Sequence, residues 1–171
     1  RRAHGQQTFA QIVENSCNVS FVQVGLTLGM EKYYHYLQAF GFGQPTGIDL
    51  PGEAAGILVP QGRAKQIDLA TMSMGQANAV TPLQLCNAVA AVANGGKLMK
   101  PYLVKKVVDQ SGNVLQENQP TIVRQVISEE TAYRLSMILE GEVINGTGKN
   151  AYIEGYRVGG KTGTAQKIAP G

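Results

Sequence analysis

The chain has 171 residues, 43% apolar and 16% charged, the make-up of one globular domain or a large piece of one, which excludes a disordered or low-complexity chain. Its formal charge of +3 comes without a basic run or interleaved aromatics, so nothing points to nucleic-acid binding. No apolar run reaches the length of a membrane span and no secretory signal is read at its start.

Taken in order, the chain begins abruptly at Arg1-Arg2 and stops at Gly171, and both ends are expected to be those of a segment. Thr8-Phe9-Ala10-Gln11 has the form of a capping box, and Phe9, Ile12 and Val13 recur at helical spacing, which predicts a helix over 8–15. The polar cluster Asn15-Ser16-Cys17-Asn18 ends it. Residues 19–28 are almost continuously apolar up to Gly29, which predicts a buried helix. Tyr33, Tyr36, Leu37 and Phe40 mark the packed face of a third helix ending at Gly41. Residues 42–63 are rich in glycine and proline and form a long excursion, ordered and near function or else flexible.

Residues 66–74 predict a short helix before Gly75-Gln76. Thr81-Pro82-Leu83-Gln84 supplies an N-cap, a proline at the first helical position and a capping glutamine. The helix over 81–94 that follows is alanine-rich and almost uncharged, which predicts burial on several sides. Alternation predicts a strand over 102–108, a turn at 109–113, a return at Val114-Leu115 and another strand over 121–126. Ser128-Glu129-Glu130 opens a helix with its acids in the first turn, Leu135, Ile138 and Leu139 give its apolar face, and Asn145-Gly146 ends it.

The stretch that carries most chemistry is Gly159-Gly160-Lys161-Thr162-Gly163-Thr164-Ala165. Two glycines allow close approach of a backbone or ligand, a lysine presents a cation, and two threonines alternate toward one side of an extended chain. Gly155 to Thr162 matches the phosphate-loop spacing G-x-x-x-x-G-K-[ST]. A phosphate loop needs a buried strand before it and a helix after it. Here a polar loop, 145–150, precedes, and Gly163, Thr164 and Pro170 follow, so the nucleotide reading is set aside. Residues 156–165 read instead as an edge strand able to pair with a peptide-like substrate.

Ser16 and Asn18 flank Cys17 between two predicted helices. Serine and asparagine are favoured helix caps. A hydroxyl also donates and accepts a proton, and a carboxamide bonds a peptide group from both sides. Two cysteines are too few for a disulfide framework, and pairing of Cys17 with Cys86 stays open. Neither His4 nor His35 joins them in a metal-ligand pattern, so no metal and no cofactor are expected.

Ser16-x-Asn18 followed by Lys161-Thr162-Gly163 resembles the serine acyl-transfer signature S-x-x-K, S-x-N and K-T-G of penicillin-binding proteins. Phe40-Gly41-Phe42-Gly43, Thr46 to Glu53, Gly75-Gln76, Val80 to Leu85 and Ala93 to Gly96 also resemble, in order, the transpeptidase domain of the class B, monofunctional members. The resemblance implies a mixed α and β (α+β) fold of the β-lactamase/DD-transpeptidase type, with helices packed on a mainly antiparallel sheet. It implies that residues 1–171 are the C-terminal portion of that domain.

As function it implies a peptidoglycan D,D-transpeptidase that cross-links D-Ala-D-Ala stem peptides and binds β-lactam antibiotics. Ser16 would relay a proton between the acylating serine and the leaving amine, and Asn18 would bond the substrate amide. Lys161 would hold positive charge near Ser16 and the terminal carboxylate. Thr162 and Thr164 would bond that carboxylate, with Gly163 between them in the substrate-binding run, and the Thr164 N–H would form half of an oxyanion hole. The resemblance places the protein on the outer face of the bacterial cell membrane, on an N-terminal anchor not in this chain, among other cell-wall synthesis proteins. A β-lactam-sensing or catalytically inactive module and a D,D-carboxypeptidase are the alternatives. The sequence departs from the pattern at one point: none of Ser16, Ser20, Ser73, Ser111, Ser128 and Ser136 has lysine three residues on. The S-x-x-K nucleophile is therefore missing here, and the chain alone is expected to be inactive.

Overall fold

A computed structural model describes residues 4–165. In chain order the helices and strands are α1 (Phe9–Glu14), α2 (Asn18–Leu28), α3 (Met30–Ala39), α4 (Gln66–Ser73), α5 (Pro82–Ala93), β1 (Lys97–Met99), β2 (Lys106–Val108), β3 (Val114–Glu117), β4 (Ile122–Gln125) and α6 (Glu129–Asn145). Two single 3-10 turns stand at Gln61–Arg63 and Lys149–Ala151. The content is mixed α and β, as the sequence predicts. The described residues divide into two units. One holds the chain up to Tyr34, Val59–Asn78 and everything from Tyr133; the other holds His35–Leu58 and Ala79–Ala132.

In the first unit α1 begins as its sequence dictates. The Thr8 hydroxyl accepts from the Gln11 N–H, and the Gln11 side chain accepts from the Thr8 N–H, so two otherwise orphaned donors are satisfied at once. Tyr34, Leu69 and Met72 form a buried core. The Tyr34 hydroxyl donates to Val59 O at 2.6 Å, which satisfies its polar end, and burial pushes the neighbouring Tyr33 phenol up to about 12.

Helix α2 packs on α4 through one small residue. A Cβ placed on Gly25 would fall 1.8 Å from Ser73 Oγ and 2.7 Å from Ser73 Cβ, and that hydroxyl is itself fixed on Leu69 O at 2.7 Å. Gly25→Ala is therefore expected to force the helices apart and cost about 1–3 kcal/mol, the usual range for overpacking. A lowered Tm in thermal unfolding checks it; an unchanged Tm contradicts the packing described.

The second unit holds two two-stranded antiparallel pieces, β1 with β4 and β2 with β3. Leu98 pairs with Arg124 in the first and Val107 with Gln116 in the second, each with one irregularity in register. Helix α5 packs against β1, where the Asn87 amide donates to Met99 O at 3.0 Å. Its cap is the expected one: the Thr81 hydroxyl accepts from Gln84 N–H and the Gln84 side chain returns the bond. The remaining amide protons of the buried Gln84 reach Gln44 O and Ala55 O, each at 2.8 Å. Glu53 accepts from the Thr46 and Gly47 N–H groups. The glycine- and proline-rich excursion is thus ordered by side chains that replace a backbone ladder.

Four expectations need correction. The helix over 19–28 is present, but Val19 is 67% exposed and the buried residue of α2 is Gly25. Helix α5 buries only the single face Gln84, Ala88 and Ala91, leaving Leu85 and Val89 exposed, because one side of a 3.6-residue repeat meets β1. In α3 the buried aromatic is Tyr34, while Tyr36 is exposed. The predicted strand over 102–108 shrinks to β2 because the Asp49 carboxylate accepts the Leu103 and Val104 N–H groups at 2.8 and 2.9 Å, removing them from any ladder. Those same bonds hold the Asp49 carboxyl below its usual value. Strand β1, three residues long and directly following Gly95-Gly96, had no sequence signal of its own.

Candidate active site

Helix α1 ends in a turn that sets the geometry of Ser16. The Ser16 N–H bonds Val13 O at 3.1 Å and the Cys17 N–H bonds Ile12 O at 3.2 Å. This is the paired bonding of a Schellman motif, whose first residue past the cap is usually glycine because it must be left-handed. Here Ser16 occupies it, with φ of +49°. A non-glycine residue in that region costs about 1–3 kcal/mol, and such strain concentrates at functional sites. Cys17 then caps α2, whose first residue is Asn18, exposed to solvent. The Ser-x-Asn spacing is thus the junction of two helices. The Cys17 thiol is free, accepts from the Ser20 hydroxyl at 3.3 Å, and is held below its usual value by that bond.

Lys161 comes to the same place from 145 positions away: its Nζ donates to Ser16 Oγ at 2.9 Å. The ammonium also reaches Thr162 O at 3.2 Å and Thr162 Oγ1 at 3.1 Å. Behind it lies Glu142 on α6, fully buried, with Oε1 3.7 Å from Nζ. Thr147 completes the cluster. Its hydroxyl donates to Glu142 Oε1 at 2.6 Å and lies 2.8 Å from the Thr162 hydroxyl.

Gly163 and Thr164 continue the same segment, whereas Asn18 is on α2. Gln76 Nε2 donates to Thr164 O at 3.2 Å, tying the run to the end of α4. Gly163 has open space where a Cβ would stand. Ser16 and Lys161 are brought into contact and Thr162 joins them through Lys161; Asn18 lies exposed at the head of α2, and Thr164 is bonded through its carbonyl to Gln76. Glu142 and Thr147 were missed by the sequence reading. A signal for Glu142 existed: it follows Leu135, Ile138 and Leu139 at helical spacing, so a carboxylate sits on the apolar face, and a buried polar residue is the informative kind.

Residues 156–165 do not form the predicted edge strand: among the described residues no ladder pairs with them. A strand exists only against a neighbour that exchanges bonds with it, and here the neighbour is a helix. Gly160 N–H donates to Leu139 O at 3.1 Å, and Cβ atoms on Gly159 and Gly160 would meet Leu139 Cβ at 3.4 Å and Val143 Cγ2 at 3.5 Å. The two glycines give close approach to α6. Arg157 clamps the segment further, giving two bonds to Glu140 at 2.8 and 2.6 Å and holding that carboxyl below its usual range. No helix opens at Thr162 among the described residues, against the phosphate-loop spacing; Pro170 lies outside them.

The site can therefore hold a positive charge against a hydroxyl at the end of a helix, beside a run of threonines. Among the described residues no group of three or more His, Cys, Asp or Glu could hold a metal ion, and no helix is long and apolar enough to cross a membrane.

Comparison with known proteins gives a consistent answer. The family model for the penicillin binding protein transpeptidase domain matches residues 1–171. Stage V sporulation protein D of Bacillus subtilis is 49% identical over the whole chain, which spans 27% of that protein. Penicillin binding protein 3 of Mycobacterium tuberculosis, solved with ampicillin, is 35% identical with a TM-score of 0.89 over 95% of this chain and 37% of that one. The D,D-transpeptidase domain of a peptidoglycan glycosyltransferase from Eggerthella lenta is 32% identical with a TM-score of 0.87, covering 98% of this chain and 44% of that one.

Proposed function

This chain belongs to the penicillin-binding protein transpeptidase family and has its fold, and on that premise we propose that it is the C-terminal part of the transpeptidase domain of a serine-type D-Ala-D-Ala transpeptidase. The complete protein cross-links peptidoglycan stem peptides and is acylated by β-lactams. The observation that carries this reading is the 2.9 Å bond from Lys161 Nζ to Ser16 Oγ, which makes one unit of two motifs far apart in sequence.

The chemistry assigned to each residue follows from its type and place. A serine supplied by the S-x-x-K segment of the complete protein attacks the carbonyl between the two D-alanines. The tetrahedral carbon collapses, the C–N bond breaks and the terminal D-alanine leaves as the amine. That amine needs a proton, and the Ser16 hydroxyl hands it one while taking up the proton the acylating serine gives up, with the Lys161 ammonium bonded to its oxygen. An acceptor amine then attacks the acyl-serine, and the relay runs in reverse. Lys161 meets the negative charge of the terminal carboxylate, with the hydroxyls of Thr162 and Thr164 beside it on either side of Gly163. The Thr164 N–H meets charge on the carbonyl oxygen, where a fixed donor is worth most. Asn18, exposed at the head of α2, bonds the substrate amide.

On this reading the 171 residues alone take no acyl group, since no serine in them has lysine three positions on. The protein acts at the outer face of the bacterial cell membrane, held by an anchor outside this chain, alongside other cell-wall synthesis proteins. Labelled penicillin applied to the complete protein tests the proposal. A covalent adduct that survives boiling, and that prior exposure to unlabelled ampicillin prevents, supports it; a folded protein that takes no label refutes it and leaves a binding module. Incorporation of a labelled acceptor peptide separates cross-linking from a carboxypeptidase, which passes the acyl group to water.

A further inference from the structure

The proposed machinery leaves one group unexplained. Glu142 has no solvent exposure, and burying a carboxylate is costly unless it is paired and hydrogen-bonded. Its Oε1 is the meeting point of Thr147 Oγ1 at 2.6 Å, Thr162 Oγ1 at 3.4 Å and Lys161 Nζ at 3.7 Å. Its Oε2 is buried without a hydrogen-bond donor among the described residues. The wall around it is shaped for it: a Cβ on Gly148 would lie 2.1 Å from Oε2. The same end of α6 is tied to the end of α1, where the Thr147 N–H donates to Glu14 O at 3.1 Å, two residues before Ser16.

We infer that Glu142 is a positioning residue for the proposed acyl transfer: a fixed anion behind the Lys161 ammonium which, through the Thr147 hydroxyl, holds Lys161 and Thr162 in the orientation that reaches Ser16. The reaction is that of the functional reading above; the placement of Glu142 stands on geometry alone. An ammonium on a four-carbon stem has many rotamers. Lys161 is 28% exposed at its side chain, so solvent competes for it. The buried charge on one side and the Ser16 oxygen on the other leave it one orientation. Thr147 fixes the carboxylate and touches the Thr162 hydroxyl at 2.8 Å, so the alignment extends into the Lys-Thr-Gly run. Glu142 does not itself meet the substrate.

The test uses the complete protein and the rate constant for acylation by penicillin. Glu142→Gln keeps the shape and one acceptor oxygen but removes the charge. Glu142→Gln removes a fully buried carboxylate and leaves only the partly exposed Lys161 without its partner, so no buried unpaired charge results and the Tm is not expected to fall, whereas a pair that served stability alone would lower it. The expected result is an acylation rate constant at saturating penicillin lowered by about tenfold or more, in line with the cost of small misplacements of reacting groups. The Tm stays at or above wild type, and the acylation rate constant falls by a larger factor than the non-covalent dissociation constant rises.

Acylation within about twofold of wild type overturns the inference. Should Glu142→Gln fail to fold, Thr147→Val and Thr147→Ser decide. The inference expects Val to slow acylation and Ser to restore it; wild-type rates in Val, or equal loss in both, overturn it. Wild-type protein that takes no label instead refutes the functional reading. The crystal structure of Glu142→Gln then decides the placement: Lys161 still bonded to Ser16 overturns it, and Lys161 turned away to solvent supports it.

Discussion

Lys161→Ala in the complete protein is expected to lower the acylation rate constant for penicillin by about 10²–10³-fold, the range for removing one preorganised electrostatic group from a site where charge develops. The lysine does two things that no neighbour replaces. It donates to Ser16 Oγ at 2.9 Å, so the hydroxyl proposed to hand the proton on loses its partner. It is also the cation of the Ser16 cluster, and without it the terminal carboxylate meets only neutral hydroxyls. Stability falls as well, because Glu142 is left buried with no cation at 3.7 Å. Breaking a fully buried pair costs about 3–5 kcal/mol, and the partial exposure of the lysine brings the figure toward about 1–3 kcal/mol. Lys161→Arg is not expected to rescue the rate, because a planar guanidinium cannot occupy the ammonium's place between Ser16 and Glu142. Acylation traces recorded beside thermal melts check both effects. A folded Lys161→Ala protein that acylates within about fivefold of wild type contradicts the assignment.

The second large effect separates stability from function at a single position. Ser16→Ala removes the hydroxyl but keeps the left-handed backbone, φ +49°; it is expected to lower acylation by about 10²–10⁴-fold, the range for a positioned proton-transfer group. Ser16→Gly removes the same hydroxyl and also the strain. A left-handed L-residue costs about 1–2 kcal/mol, and the added freedom of a glycine in the unfolded chain returns about 0.4–1 kcal/mol of that. Ser16→Gly is therefore expected to be as inactive as Ser16→Ala and more stable than it, by about 1 kcal/mol. Equal Tm values for the two variants would show that the turn stores no strain, and an active Ser16→Gly would remove the hydroxyl from the mechanism.

What could be read from the sequence was local chemistry. Thr8 with Gln11 and Thr81 with Gln84 announce their helices because a capping box needs only residues three apart. The two motifs around Ser16 and Lys161 were readable as residue types, and their order along the chain suggested a family. Their proximity was implied by the resemblance, which puts the Lys161 charge near Ser16, but no local pattern shows it, because the contact depends on a turn with serine where glycine is usual. The strand expected over 156–165 failed for a related reason. Alternating residues show what could pair, whereas the ladder depends on what lies alongside, and α6 lies there. Asp49 shortens β2 from more than fifty positions away by taking the Leu103 and Val104 N–H groups. Glu142 is legible in principle as a carboxylate in an apolar stripe, although Leu135, Ile138 and Leu139 dominate the pattern of that stripe.

On the proposed mechanism Ser16 and Lys161 act as one relay, and a double-mutant cycle on the acylation rate constant of the complete protein measures that most directly. Ser16→Ala with Lys161→Ala is expected to be about as slow as the slower single variant, since removing either partner already breaks the relay. Rate losses that multiply would show two independent contributions and contradict it.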